Sequence, residues 1–130
     1  MQKLLVAGAI LSAGLVAATA ASADDHHKAG AAVFKKCVAC HTATEPKNKV
    51  GPHLQGIIGR AVASLPDYKY SKAMVDHAAE VPVWTEEALA AYLRDPKGVV
   101  KGTKMAFAGL KKDEDIDHVI AYLKDPAAAK

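Results

Sequence analysis

The 130-residue chain has only two cysteines, Cys37 and Cys40, and few aromatic residues: two phenylalanines, one tryptophan and four tyrosines. Two thiols are too few for the paired Cys/His clusters that a structural zinc site draws on. The scarcity of aromatics, in a chain with many alanines, leaves little large apolar material, and a core built from it alone would be marginal. Charge of one sign is not in excess either: the formal net charge is +3, so global charge says little about partners. Nothing resembles a hydrolytic triad, a phosphate loop or a nucleic-acid motif. There are no convincing strands, repeats or low-complexity tracts beyond the alanine-rich ends. The length suits one small domain.

The first residues stand apart. Met1-Gln2-Lys3 is a short basic start, Leu4 to Ala18 is an uncharged apolar run, and Ala21-Ser22-Ala23 is a small-x-small cleavage site directly before Asp24-Asp25. This pattern means export, with residues 1–23 as a cleavable signal peptide and 24–130 as the mature domain. An uncleaved membrane anchor is the other reading, since the uncharged run approaches spanning length; its alanine content and small-residue exit favour cleavage. Beyond Ala23 no segment is long or apolar enough to span a bilayer, so the mature chain is expected to be soluble.

The informative stretch is Cys37-Val38-Ala39-Cys40-His41. Two thiols three positions apart, followed at once by an imidazole, is the spacing that attaches a c-type haem: each sulfur forms a thioether to a vinyl group and the histidine ligates iron. A redox disulfide would lean on a surrounding βαβ pattern, whereas these flanks look helical. Export by default suggests a disulfide, but His41 gives both sulfurs another use. One covalently bound haem c would also supply the large apolar core the composition lacks, so the haem-free chain should be poorly folded.

The coarse pattern is all-α with long loops. Ala29 to Cys37 reads as the helix that delivers the thiols, and Gly30 within it marks either a close helix crossing or a flexible start. Thr42 to Gly59, with Pro46, Gly51, Pro52, Gly56 and Gly59, reads as loops and turns. A short helix fits within Asp67 to Ala79, capped by Ser71. Thr85 caps a clearer one bearing Leu89, Tyr92 and Leu93, ended by Asp95-Pro96. Gly98 to Leu110 reads as loop again. From Asp113, Ile116, Val119, Ile120 and Leu123 recur at i, i+3, i+4 and i+7, the best amphipathic helix in the chain. Such long loops suit a compact domain only if they cover something.

Iron held by His41 has one further position. With Met1 cleaved, the sulfur candidates are Met74, on the apolar face of a short helix, and Met105, in a Gly-containing loop; composition leaves both open. The imidazole candidates are His26, His27, His53, His77 and His118; His26 and His27 sit at a frayed terminus, and His77 and His118 lie among charged residues where solvated roles are expected.

Cys37-x-x-Cys40-His41, Gly51-Pro52-His53-Leu54, Gly59-Arg60, Trp84, Tyr92-Leu93, Pro96, Gly102-Thr103-Lys104-Met105-x-Phe107-Ala108-Gly109 and Ile120-Ala121-Tyr122-Leu123-Lys124 together resemble a class I cytochrome c. The likeness is to the mitochondrial-type and bacterial cytochrome c2 group in its shorter form, and it covers nearly the whole mature chain. It implies a small cytochrome c fold with helices and long loops wrapped around one haem. It also implies Met105 as the sixth ligand and a Pro52 carbonyl that accepts from His41. Arg60, Tyr70, Trp84 and Thr103 match positions around the haem propionates. Tyr92 matches the tyrosine beside the methionine sulfur, ordinary packing being its other reading. Gly30, Val119, Tyr122 and Leu123 match the crossing of the first and last helices.

The function implied is that of a monomeric periplasmic electron carrier, not an enzyme. Membrane redox complexes would be its transient partners: a bc1-type donor, and an oxidase or photosynthetic reaction centre as acceptor. Lys36, Lys97, Lys101, Lys104, Lys111 and Lys112 lie near the ligand-bearing segments, and in relatives such lysines dock acidic partners; a routine solvated surface is the alternative. The departures are Met74 where relatives carry an asparagine, Lys101 where a proline is usual, and one residue fewer between Gly30 and Cys37. The competing class is a haem sensor or peroxidase with an open iron position. A four-helix cytochrome c′ is disfavoured because its attachment motif lies near the C-terminus.

Overall fold

The structure, a computed structural model, describes residues 19–130 together with Gly14 and Ala17. The apolar run of the expected signal peptide, Leu4 to Ala18, lies outside the described residues apart from those two positions. Among the described residues no helix is long and apolar enough to cross a membrane.

Helix α1 spans Ala23–Phe34. It starts well before the expected Ala29 because Ser22 and Asp25 form a reciprocal capping box and Asp24 and Asp25 place negative charge at the positive end of the helix. In the uncut chain His26 and His27 are therefore helical. The helix also stops earlier than expected, so both cysteines fall in the turns after it. The last α-helix, α5 (Asp113–Lys124), follows its periodicity closely and buries Ile116, Val119, Ile120, Tyr122 and Leu123.

These two helices make the most extensive inter-element contact of the fold. Gly30 is the point of closest approach: a Cβ there would lie 2.0 Å from the His118 carbonyl oxygen and 2.6 Å from Tyr122 Cβ. The close-crossing reading of Gly30 therefore holds. Phe34 packs on Tyr122 with ring centroids 5.3 Å apart.

Between them lie three helices joined by loops. Helix α2 (Lys72–Glu80) is capped by Ser71 and α3 (Glu86–Arg94) by Thr85, each side chain accepting from the backbone N–H three residues on. Asp95 ends α3 and caps the single turn α4 (Pro96–Val99), whose last two residues fall in the stretch read as loop. A short 3₁₀ turn, Pro126–Ala129, closes the chain against α1. The one β-type pairing among the described residues is an isolated antiparallel bridge between Ala61 and Val83. The class is thus all-α with long loops, as the pattern suggested.

Two histidines expected in solvent are instead half-buried. His118 faces His26 across the α1/α5 crossing at 4.9 Å, and His77 packs on Trp84 at 6.0 Å.

Candidate functional site

The chain leaves α1 in consecutive turns that gather the thiols and the imidazole. Cys37 N–H donates to the Phe34 carbonyl at 2.7 Å, and both Cys40 N–H (3.1 Å) and His41 N–H (2.9 Å) donate to the Cys37 carbonyl. Both sulfurs are free thiols and half-buried. Burial pushes the Cys37 thiol above its ordinary range, with Lys36 pulling partly the other way. A protonated thiol between a helix and turns is unlike the low-pKa thiolate of a redox pair.

His41 is fixed from behind. Its Nδ1 donates to the Pro52 carbonyl at 2.7 Å, since that oxygen can only accept, and the Nε2 lone pair is left available as a ligand. Burial holds the imidazole below its ordinary pKa and outweighs the opposite pull of the Pro52 bond. Gly51 admits this arrangement by having no side chain: a Cβ would sit 2.4 Å from His41 Cε1. The loop is stitched to the motif by Gly51 N–H to the Cys40 carbonyl (2.8 Å) and Leu54 N–H to the Thr42 carbonyl (2.7 Å).

Two residues that sequence reasoning passed over take part. Lys49 Nζ donates to the Val38 carbonyl, and Tyr68 Oη donates to the Val50 carbonyl at 2.9 Å. Their partners are backbone atoms far along the chain, which no spacing or residue pattern marks.

The Met105 segment is organised from α3. Tyr92 Oη and Thr103 Oγ1 are 2.9 Å apart, and Met105 N–H donates to the same Thr103 oxygen at 3.3 Å. Met105 is half-buried against the core. Leu110 N–H donates to the Leu93 carbonyl at 2.8 Å, returning the loop to the end of α3. Gly109 makes this return at φ +105°, where a Cβ would lie 2.2 Å from the Arg94 carbonyl oxygen. Met74 packs half-buried on α2 and takes no part in this hydrogen-bonded group. Burial raises the Tyr92 phenol above its ordinary range, with the Thr103 bond lowering it in part, so the phenol stays protonated at neutral pH.

The remaining expected site residues divide. Trp84 joins the Tyr92–Thr103–Met105 group: its ring lies 5.3 Å from that of Tyr92. Its backbone pairs with the Gly59–Arg60 segment, Trp84 N–H to the Arg60 carbonyl at 2.9 Å and Gly59 N–H to the Trp84 carbonyl at 2.8 Å. The Arg60 guanidinium, however, turns back on its own loop, donating to the carbonyls of His53 (2.8 Å) and Gln55 and to His53 Nδ1 (3.2 Å). Because guanidinium only donates, His53 carries its proton on Nε2. Tyr70 accepts from Leu65 N–H at 3.2 Å and meets Tyr68 edge-on at 4.9 Å. The structure thus ties Trp84, Tyr92, Thr103 and Met105 into one group, and it engages Arg60 and Tyr70 with local backbone. His53 stood in the sequence as one of the imidazole candidates and as a member of the Gly-Pro-His-Leu stretch, and nothing there marked it as the partner of Arg60.

The donor chemistry fits a covalently attached haem: two half-buried thiols precede an imidazole whose tautomer is fixed for binding through Nε2. Comparison with known proteins agrees. The family model "Cytochrome c" matches residues 27–126. The chain is 52% identical over 97 residues to a cytochrome c2 of Afifella marina, covering 74% of this chain and 78% of that protein. It is 50% identical over 102 residues to a cytochrome c2 of Agrobacterium tumefaciens, covering 78% and 92%. The solved structure of cytochrome cH from Methylobacterium extorquens superposes with a TM-score of 0.67 at 38% identity, over 74% of this chain and 94% of that one. The chain belongs to the cytochrome c family, in its class I, bacterial cytochrome c2 group. It is accordingly an electron-transfer protein rather than an enzyme, and haem c is its cofactor, with Cys37 and Cys40 at the attachment spacing.

Proposed function

We propose that this protein is a periplasmic one-electron carrier in which His41 and Met105 are the axial ligands of the haem iron. The observation that carries the reading is the Nδ1–H bond from His41 to Pro52, which presets one ligand. The Thr103 hydroxyl supports the other by holding both the Met105 backbone and the Tyr92 phenol. Bound haem supplies a one-electron iron couple, which histidine and thioether ligands together place toward higher potential.

This chain's residues supply the rest. Pro52 fixes the orientation and basicity of the imidazole. Gly51 gives the ring room, and the loop stapled by Gly109 and Leu110 holds Met105 against the core. Ligands held on both sides by packed, hydrogen-bonded segments need little rearrangement between oxidation states, which suits fast electron exchange.

In this reading export with cleavage after Ala23 delivers a soluble monomer to the periplasm. There it shuttles between a bc1-type donor and a terminal oxidase or photosynthetic reaction centre. Lys36, Lys97, Lys101 and Lys104 are exposed and could steer acidic partners. Lys111 differs, its ammonium being bonded to the carbonyls of Arg94 (3.1 Å) and Ala108 (2.9 Å). Replacing Lys104 with glutamate should slow exchange with an acidic partner at low salt, and rates equal to wild type at every ionic strength would remove docking from the proposal.

The deciding experiment is the absorption spectrum of the ferrous holoprotein before and after carbon monoxide. An unchanged spectrum in wild type, with prompt binding in Met105→Ala, supports closed His41/Met105 ligation. Prompt binding by the wild type would instead favour a gas-sensing or peroxidase role.

A further inference from the structure

We infer that the mature amino terminus is a copper(II) site, built from the α-amine of Asp24, the backbone amide nitrogens of Asp25 and His26, and the His26 imidazole. The inference rests on the proposed cleavage after Ala23. That cut makes Asp24-Asp25-His26 the first three residues, a free amine followed two positions later by an imidazole. Amine, two amides and imidazole in that order close three fused chelate rings around one ion. The resulting planar four-nitrogen donor set suits copper(II), with nickel(II) next.

The structure explains why cleavage, and not merely the presence of His26, creates the site. In the uncut chain the two required amides are occupied: Asp25 N–H and His26 N–H both donate to the Ser22 carbonyl, at 3.0 and 3.3 Å. Ser22 also completes the capping box with Asp25. Cleavage removes Ser22, leaves both amides without an acceptor, and converts the Asp24 peptide nitrogen into an amine. His27 loses its partner as well, because its Nδ1 bonds the Ala23 carbonyl at 2.7 Å.

Opening this first turn disturbs little else. Asp24 and Asp25 are exposed, and the residues α1 buries are Gly30, Val33 and Phe34, further along. The His26 ring is held by contact with the His118 ring, 4.9 Å away, which it must leave to reach the metal. The carboxylates of Asp24 and Asp25 add negative charge beside a divalent cation. Binding expels two amide protons and the ammonium proton to solvent and moves no electron, so affinity rises with pH.

The test uses oxidised holoprotein purified from the periplasm, its amino terminus determined by intact and peptide mass. Copper(II) chloride is added against a competing glycine buffer and followed by electron paramagnetic resonance. One equivalent with an axial four-nitrogen signal is expected. His26→Ala, and a variant with one alanine inserted before Asp24 that moves the histidine to position four, should each lose that signal; His118→Ala should keep it. Loss of the signal in His118→Ala would overturn the inference in favour of an imidazole pair across the helix crossing. A wild type that binds no better than His26→Ala would also overturn it, as would a mature chain that does not begin at Asp24. The haem spectrum and its response to carbon monoxide are read on the same samples, so failure here is distinct from failure of the His41/Met105 reading.

Discussion

The α1/α5 crossing and the loops that carry His41 and Met105 are built on different physics. At the crossing, apolar residues at helical spacing meet across a backbone approach that only Gly30 permits. Along the loops, buried apolar residues are sparse, and order comes from single hydrogen bonds. Thr42 Oγ1 donates to the carbonyls of Glu45 (3.0 Å) and Lys47 (2.8 Å), Tyr68 to that of Val50, and Tyr92 pairs with Thr103. Such a bond is worth about 1 kcal/mol net, while ordering one residue's backbone costs roughly 1–2 kcal/mol. The crossing can hold itself together; the loops need a large apolar group to cover.

The comparison is broken most severely by withholding the haem. Haem-free chain should lose fixed structure in residues 42–70 and 100–110 while α1 and α5 keep part of their association, a difference that amide hydrogen exchange reads directly. Equal protection in the two regions would mean that the loops are self-sufficient.

Two glycine substitutions sharpen it at residue level. Gly30→Ala drives a methyl into the His118 carbonyl and should cost roughly 3 kcal/mol, the upper part of the overpacking range, with an unchanged haem spectrum. Gly51→Ala meets the His41 ring instead and should cost about 1–3 kcal/mol while visibly altering the haem spectrum. Urea unfolding paired with absorption separates them.

Tyr92→Phe removes the bond to Thr103 and should cost about 1 kcal/mol at neutral pH. Because burial raises the folded-state pKa of Tyr92, its contribution is fully present below the unfolded value of about 10 and is lost as pH rises through the folded one. The phenylalanine variant should therefore show a shallower loss of stability above that pH. The smallest change, Thr85→Ala, removes the cap that accepts from Ala88 N–H and should cost about 1 kcal/mol or less, with the loops and the haem spectrum untouched.

Much of the fold was legible before any coordinates. Ser71, Thr85 and Asp113 mark helix starts because capping and charge at a helix end are local, and the α5 face repeats at the helical period. The early start of α1 was missed, although Ser22 and Asp25 carry the capping-box spacing, because Ser22 also belongs to the cleavage motif. The short α4 was missed because Asp95-Pro96 reads equally as the end of one helix and the start of another.

Residue type and spacing in the sequence determined the attachment motif, the helix faces, and the short list of sulfur ligands, since each depends on neighbours within a few positions. The resemblance carried by the Gly51-Pro52-His53-Leu54 stretch also implied the bond from His41 to the Pro52 carbonyl, which the structure shows. Only the tertiary structure decided that Thr103 joins Tyr92 to Met105, that Arg60 turns to His53, and that Lys49 and Tyr68 brace the motif. Those bonds close over many residues onto backbone or single side-chain atoms, and the direction of a loop's carbonyl is set by how the whole loop packs rather than by the residues that flank it.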